Sequence, residues 1–350
     1  MNKIRILHLL QSNHFSGAEN VVCQIIGMFK NDTDIEMAYC SQEGQIRDVL
    51  QERDILFFPM KKLSILEVKR VIKMYKPDII HAHDFRASVY ASLYSKNIHV
   101  ISHLHNNSPW LKRRSIYSIV YAISCKQYSK ILTVSASIFD EFVYANKFLK
   151  KHLVVGNPIN ISSIRLKANQ GQFDISPSIV YCGRLAIPKN PEAFVDIVAP
   201  VMKNLNNTTA VMIGEGELKD SIEAKIKEYG LTDRIRLLGF INNPYPIIKK
   251  SKVMVMPSCW EGFGLAAVEA LSLGVPVICS NVGGLPGIVD DECGKICNKI
   301  SEYQLELKTM LCNDKYRSNK SQNALKKADI FDNTEEYYKM LKTIYLNLCL

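Results

Sequence analysis

The 350-residue chain contains no run of about 18 apolar residues, which argues against a membrane-crossing helix. Lys3 and Arg5 precede only the short stretch Ile6-Leu7-His8-Leu9-Leu10, too brief and too polar for a secretory leader, so this segment reads as a first buried strand. Paired C-x-x-C spacing is missing among the ten cysteines. Cys293 and Cys297 have no second pair, which disfavours zinc. Thiols scattered through apolar runs, such as Cys182, Cys259 and Cys279, suit a reducing cytoplasm better than a disulfide framework. No histidine follows His152, and neither an internal repeat nor a low-complexity tract occurs. Acidic residues are scarce in the first half. Residues 1–165 hold 13 against 22 Lys and Arg, a net +9, whereas residues 166–350 hold 21 against 22, a net +1. No zinc-finger or RNP-type reader accompanies that positive half, so nucleic acid is not the expected partner.

What is present describes an α/β protein. Hydrophobic content of 47% with 22% charge is globular, and the length exceeds what one core supports, so two domains are expected. Strand-like and helix-like segments alternate throughout, the pattern of parallel sheets wound on both faces. Composition turns polar between Ser162 and Ser178, with Lys167, Asn169, Gln170, Gly171 and Gln172, which reads as a linker. Asn157-Pro158-Ile159-Asn160, after the strand Leu153 to Val155, reads as the end of the first domain, and with the linker beyond it the domains are placed at 1–165 and 166–333. A final helix over 334–350 carries Tyr337, Tyr338, Met340, Leu341, Ile344 and Tyr345 at packing intervals.

Four strand ends in the second half carry chemistry. Ile179-Val180-Tyr181-Cys182 runs into Gly183-Arg184, with Lys189 five residues on; Ala210 to Ile213 opens into Gly214-Glu215-Gly216. Glu261-Gly262-Phe263-Gly264-Leu265-Ala266-Ala267-Val268-Glu269 places two carboxylates around a glycine turn and a helix predicted to begin at about Gly264. Val275 to Cys279 gives way to Val282-Gly283-Gly284, whose glycines permit backbone contact with ligand oxygens. In an open sheet the ligand crevice lies beyond the carboxyl ends of the strands, where Arg184 and Lys189 suit phosphate oxygens. Free amides at the helix start suit an anion, and carboxylates beside it suit hydroxyls, a combination that describes a sugar phosphate. An ordinary buried helix with two exposed acids has the same spacing, Gly214-x-Gly216 alone is only a tight turn, and the two cations also fit a solvated surface.

Taken in that order, these motifs resemble the retaining nucleotide-sugar glycosyltransferases of family 4, over nearly the whole chain. The resemblance implies a GT-B architecture: two Rossmann-like domains with parallel sheets facing a central cleft, the C-terminal one holding the donor and the N-terminal one the acceptor. It implies Arg184 and Lys189 as diphosphate ligands, Glu269 as acceptor of the donor ribose hydroxyls and Glu261 as a contact to the transferred sugar. Gly17, Gly183, Gly214, Gly216, Gly262, Phe263, Gly264 and Leu265 complete the expected donor site. His105 ends the strand where the family places a histidine near the transferred sugar; His14, His83 and Asn106 are candidates for acceptor contacts. The chain departs from the family pattern in two places. Ser16-Gly17 stands where two glycines are usual, and Gly287 where a glutamate is common, which moves that acid's role to Asp290 or Asp291 or removes it.

Such a site develops negative charge on a leaving diphosphate, which Arg184, Lys189 and the amides near Gly264 to Ala266 stabilise without a divalent ion, so no metal and no cofactor are expected. The donor is a UDP- or GDP-linked sugar. Family resemblance implies retention through front-face attack. A double displacement has only Glu261 to offer. The clusters Lys61-Lys62, Lys69-Arg70-Val71-Ile72-Lys73 and Trp110-Leu111-Lys112-Arg113-Arg114 mix cations with apolar residues, as at an anionic membrane surface, and suit a glycan or polyprenyl-phosphate-linked acceptor in bacterial surface polysaccharide assembly. A cytoplasmic protein, peripheral at the inner membrane face, is the expectation; a solvated basic face is the plainer alternative. A sugar-nucleotide epimerase and a non-catalytic donor-binding subunit are the rival functions.

Overall fold

The structure, a computed structural model, describes residues 3–171 and 175–349. The chain forms two compact units, one running to Pro158 and taking in the segment from Thr334 onward, the other spanning Ile159–Asn333. Both are parallel α/β sheets, and the sequence already dictates this: runs such as Val253-Met254-Val255-Met256 are apolar on consecutive residues and so need cover on both faces.

In the first unit the strands are β1 (Ile4–Leu9), β2 (Ile35–Gln42), β3 (Phe57–Met60), β4 (Ile79–His83), β5 (His99–Leu104), β6 (Lys130–Thr133) and β7 (His152–Val154). They lie in the order β3-β2-β1-β4-β5-β6-β7, all parallel. The second unit has β8 (Ile179–Cys182), β9 (Ala210–Ile213), β10 (Ile235–Leu237), β11 (Val253–Met256), β12 (Val277–Ser280) and β13 (Gly294–Cys297), in the order β10-β9-β8-β11-β12-β13. Strand order thus reverses direction once in each sheet, between β1 and β4 and between β8 and β11. Loops leaving the two strands at such a point turn opposite ways and open a crevice.

Alternate side chains of the second sheet serve two cores. Val180, Val211, Met254 and Val277 pack with Val268 and Leu271 of helix Leu265–Ser272, while Ile179, Met212, Val255 and Ile278 meet Phe194 and Val198 of helix Pro191–Lys203. The helix Thr334–Cys349 belongs to the first unit. It buries Tyr337, Leu341, Ile344 and Tyr345, sets the Tyr338 ring tilted at 4.7 Å from Phe29, and places Lys342 Nζ at 2.9 Å from Asp32 and 2.8 Å from Asp34.

Three expectations from the sequence are corrected. The first unit ends at Pro158 and not at 165, because Ile161–Lys167 is a helix of the second unit. Asn160 caps it by accepting from the Ser163 amide at 2.7 Å, and Arg165 donates to the Ser272 carbonyl at 3.0 Å and to Asp329 at 2.8 Å. The polar composition that reads as a linker therefore belongs in part to the outer face of a packed helix; Gln172 lies outside the described residues. The chain crosses between units at two adjacent places, where the Ile159 amide donates to Asn333 Oδ1 at 2.9 Å and the Asn333 amide to the Ile159 carbonyl at 3.2 Å. Finally, Cys259, Cys312 and Cys349 are exposed, whereas Cys23, Cys40, Cys125, Cys279, Cys293 and Cys297 are buried; all ten are free.

Candidate functional site

The second unit gathers its strand-end motifs at the β8/β11 reversal. Lys189, in a short 3-10 turn after β8, meets Glu261, 72 residues later and just beyond β11, in an ion pair. The two loops are also joined through the backbone, since the Cys259 amide donates to the Pro188 carbonyl at 2.9 Å. Glu261 is buried and not the exposed acid its spacing also allowed; Arg184 is exposed and makes no ion pair among the described residues. Gly183 is half-buried, and an added Cβ there would reach nothing closer than 3.6 Å.

Glycines hold these loops in close register. At Gly283, with φ +57°, an added Cβ would fall 1.6 Å from the Glu261 carbonyl oxygen, and at Gly284 it would fall 2.4 Å from that of Phe263. The paired glycines face the backbone of the glutamate loop, a closer use of their small size than the ligand contact read from the sequence. Gly214, with φ +137°, comes within 2.0 Å of the Gly183 carbonyl oxygen by the same measure, and Gly216 within 2.3 Å of that of Leu185. These four glycines clamp the loops bearing Glu261 and Arg184.

Helix Leu265–Ser272 starts from Gly264, whose φ of +110° and ψ of +44° suit glycine. Ala267 and Val268 donate back to the Gly264 carbonyl, while the first-turn amides of Leu265 and Ala266 have no helical carbonyl behind them. Gly262 is buried and Phe263 half-buried, its ring edge-on to Phe331 at 6.3 Å. Glu269, one turn into the helix, accepts from Tyr245 Oη at 2.9 Å, and burial raises its carboxyl above the usual range against the opposing effect of that bond. Cations, free amides and two carboxylates thus share one end of one sheet, a set able to hold a phosphate and neighbouring hydroxyls.

In the first unit the candidates sit at the ends of β1, β4 and β5, which are neighbours. Gly17 opens helix Gly17–Met28, and an added Cβ there would meet nothing within 4 Å, so its backbone is open to approach. Ser16 Oγ donates to Glu19. His14 is held through Nδ1 at 3.0 Å from Gln45, apart from the other histidines; Asn106 is half-buried.

His83 and His105 belong to a cluster that residue-by-residue reading of the sequence misses. His8 lies opposite His81, and His83 opposite His103, across parallel pairs, so period-two alternation brings His8, His81, His83, His103 and His105 to one sheet face. His8 Nδ1 is 3.0 Å from His83 Nε2, His83 Nδ1 is 2.9 Å from His105 Nε2, and His81 lies 3.2 Å from His103 and 2.8 Å from Tyr345 Oη. The signal was the H-x-H spacing at 81/83 and 103/105 on adjacent strands. Burial holds His8 and His105 down to about 3, and burial followed by mutual repulsion holds His81, His83 and His103 well below their ordinary value.

Neutral imidazoles carry one proton each, and Met37 Sδ, 3.4 Å from His8 Nε2, can only accept. Hydrogen bonding then assigns His8 Nε2–H to Met37, His83 Nε2–H to His8 and His105 Nε2–H to His83, which leaves the lone pair of His105 on Nδ1. The same rings supply two overlapping sets of three nitrogens within 4.8 Å, His8/His81/His83 and His83/His103/His105, as the donors a metal would use. His103 Nε2 is buried without a partner.

Comparison with known proteins agrees with this geometry. The family described as "Glycosyltransferase Family 4" matches residues 17–163, and "Glycosyl transferases group 1" matches residues 163–327. An Escherichia coli UDP-Gal:alpha-D-GlcNAc-diphosphoundecaprenol alpha-1,3-galactosyltransferase is 26% identical over 325 residues, 83% of each chain. A Campylobacter jejuni N-acetylgalactosamine-N,N'-diacetylbacillosaminyl-diphospho-undecaprenol 4-alpha-N-acetylgalactosaminyltransferase is 34% identical over 188 residues, 52% of this chain and 50% of that protein. Among solved structures, Anabaena HepE in complex with UDP and glucose superposes with a TM-score of 0.83 at 18% identity, covering 98% of this chain and 100% of that one. With its two parallel-sheet units and both family matches, the chain belongs to the GT-B glycosyltransferases of family 4.

Proposed function

We propose that the protein moves a sugar from a nucleoside diphosphate donor, UDP- or GDP-linked, to a hydroxyl of a polyprenyl-diphosphate-linked glycan, with retention of configuration, in the assembly of a bacterial surface polysaccharide. The observation that carries this reading is the convergence of Lys189, Glu261 and Arg184 at the β8/β11 reversal beside the amide-bearing start of helix Leu265–Ser272. The donor diphosphate takes Arg184, the Leu265 and Ala266 amides and Lys189. Glu269 receives the ribose hydroxyls and Glu261 those of the transferred sugar. Bond cleavage places negative charge on the diphosphate, where cations and amides already wait, and the leaving phosphate oxygen takes the proton of the attacking hydroxyl. Glu261 is committed to Lys189, which favours this front-face route over a covalent one through its carboxylate. The exposed Phe240, after β10, is a surface for the base.

The first unit then receives the acceptor. Its basic, apolar-studded helices support peripheral contact with an anionic membrane at the cytoplasmic side; among the described residues no helix is long and apolar enough to cross one. The lipid-linked acceptors in the names of the Escherichia coli and Campylobacter proteins support the same acceptor class.

The test is consumption of radiolabelled UDP- and GDP-sugars, with and without a lipid-linked acceptor. Arg184→Ala and Glu269→Ala are each expected to lower turnover by roughly 10- to 150-fold, the value of a hydrogen bond to a charged group. Near-parental rates in both variants would remove the assignment, and no consumption of any donor by the parent would leave a binding subunit.

A further inference from the structure

A cavity of about 460 Å³ in the first unit has no role in the donor chemistry. Its volume falls within the roughly 300–1,000 Å³ of small-molecule sites. It lies beyond the carboxyl ends of β1 to β4: Gln11 follows β1, Gln42 ends β2, Lys62 follows β3 and Phe85 follows β4. Helices Asp84–Ser92 and Ile116–Cys125 pack together and form its side. Two cations, Lys62 and Arg86, line it; both are exposed and neither makes an ion pair among the described residues. No acid lines it. Its remaining wall is largely apolar or aromatic, through Phe85, Tyr90, Ile116 and Tyr117.

The surroundings extend that character. Helix Ile65–Tyr75, which packs beside Asp84–Ser92, leaves Leu66 79% exposed, and helix Ile116–Cys125 leaves Ile123 60% exposed. Lys61, Lys69, Lys73, Lys112, Arg113 and Arg114 are exposed on these helices and the loops next to them. Large apolar side chains held in water among cations fit a bilayer with anionic headgroups, and a cavity with positive side chains and aromatic walls fits a molecule whose anionic group adjoins a hydrocarbon chain.

We propose that this cavity seats the diphosphate and first isoprene units of a polyprenyl-linked lipid, with Lys62 and Arg86 on the phosphates and Phe85, Tyr90, Ile116 and Tyr117 around the chain. Leu66 and Ile123 rest in the lipid surface from which it is drawn. The inference builds on the reading of the protein as a transferase to lipid-linked acceptors, and names the place where that acceptor is held.

Trp110 provides the readout, because its ring lies 4.7 Å from Phe85, and the other tryptophan, Trp260, belongs to the second unit. In a Trp260→Phe protein saturated with UDP, farnesyl diphosphate is titrated against Trp110 fluorescence, with pyrophosphate and farnesol as separate probes. Expected is a saturable change with farnesyl diphosphate, at least 10-fold tighter than either part alone, and weakened 10-fold or more by Arg86→Ala, Lys62→Ala and the surface change Ile116→Asp. Parental affinity in the two cation variants overturns the proposal, as does pyrophosphate or farnesol binding as tightly as the whole molecule. Donor consumption by the parent protein is measured in parallel, with and without a lipid-linked acceptor. Donor turnover without farnesyl diphosphate binding removes this inference alone, whereas binding without turnover removes the transferase reading and leaves a lipid-diphosphate site.

Discussion

Gly283 has an atom-scale task that no bulkier residue can take over. A methyl group there would sit 1.6 Å from the Glu261 carbonyl oxygen, on a backbone with φ +57° that already penalises a side chain. Gly283→Ala is therefore expected to cost at least about 2 kcal/mol in the second unit and to displace the glutamate loop. Thermal unfolding followed at Trp260, next to Glu261, measures the first, and loss of donor binding the second. Gly287→Ala is the control, since an added Cβ there meets nothing within 4 Å, and it should unfold with the parent. The five clustered histidines, His8, His81, His83, His103 and His105, make a different residue-scale prediction. Each is neutral in the fold and titrates near 6.5 in the unfolded chain, with His8 and His105 held to about 3. A depressed folded value contributes stability that is complete above the unfolded value and lost as pH falls below it, because the unfolded chain takes up protons that the fold refuses. Each buried imidazole then removes about 1.4 kcal/mol per pH unit below 6.5, down to its folded value. The urea midpoint of the Trp110 transition should fall steeply between pH 7 and pH 5, and His81→Phe should flatten that slope; a midpoint independent of pH would show the imidazoles charged or exposed.

Elements were more legible than their contacts. Apolar runs located β8, β9 and β12 to within a residue or two, and the glycine turn before Leu265 located the helix start, because strand burial and helix capping are encoded by residues adjacent in sequence. The Lys189 and Glu261 pair spans 72 residues and depends on which strands become neighbours, so sequence supplied both partners without the contact. Likewise the H-x-H repeats lay in plain view, yet only the parallel register of β4 against β5 turns them into one cluster. Helix Ile161–Lys167 was obscured for the opposite reason. Its outer face is as polar as a linker, and only Ile161 and Ile164 reach the core. Helix Thr334–Cys349 shows the balance well: its stripe of aromatic residues is local, but its seat on Phe29 and His81 is not. Tyr345→Ala should cost the first unit roughly 3–5 kcal/mol, the range for emptying a large aromatic site, and lower the Trp110 transition while leaving that at Trp260 in place.

At the scale of the molecule, the division of charge follows the division into units. The first half carries nearly all the excess positive charge, and with it the exposed apolar helices and the cation-lined cavity; the second carries the cluster of Arg184, Lys189 and Glu261 and is close to neutral. Fold class and domain number could be read from alternation and length, and the crossing after Pro158 from Asn157-Pro158-Ile159-Asn160 behind the last strand, whereas the start of the second unit could not, because helix Ile161–Lys167 is as polar on its outer face as a linker. Those crossings hold a last implication. Ile159 and Asn333 clasp each other through two hydrogen bonds, so the second unit begins and finishes at a single spot. Topologically it is a cassette set into another protein, removable at two neighbouring joints, and on the proposed function exchanging Ile159–Asn333 for the equivalent piece of a relative is expected to alter donor choice while acceptor choice stays with the first unit.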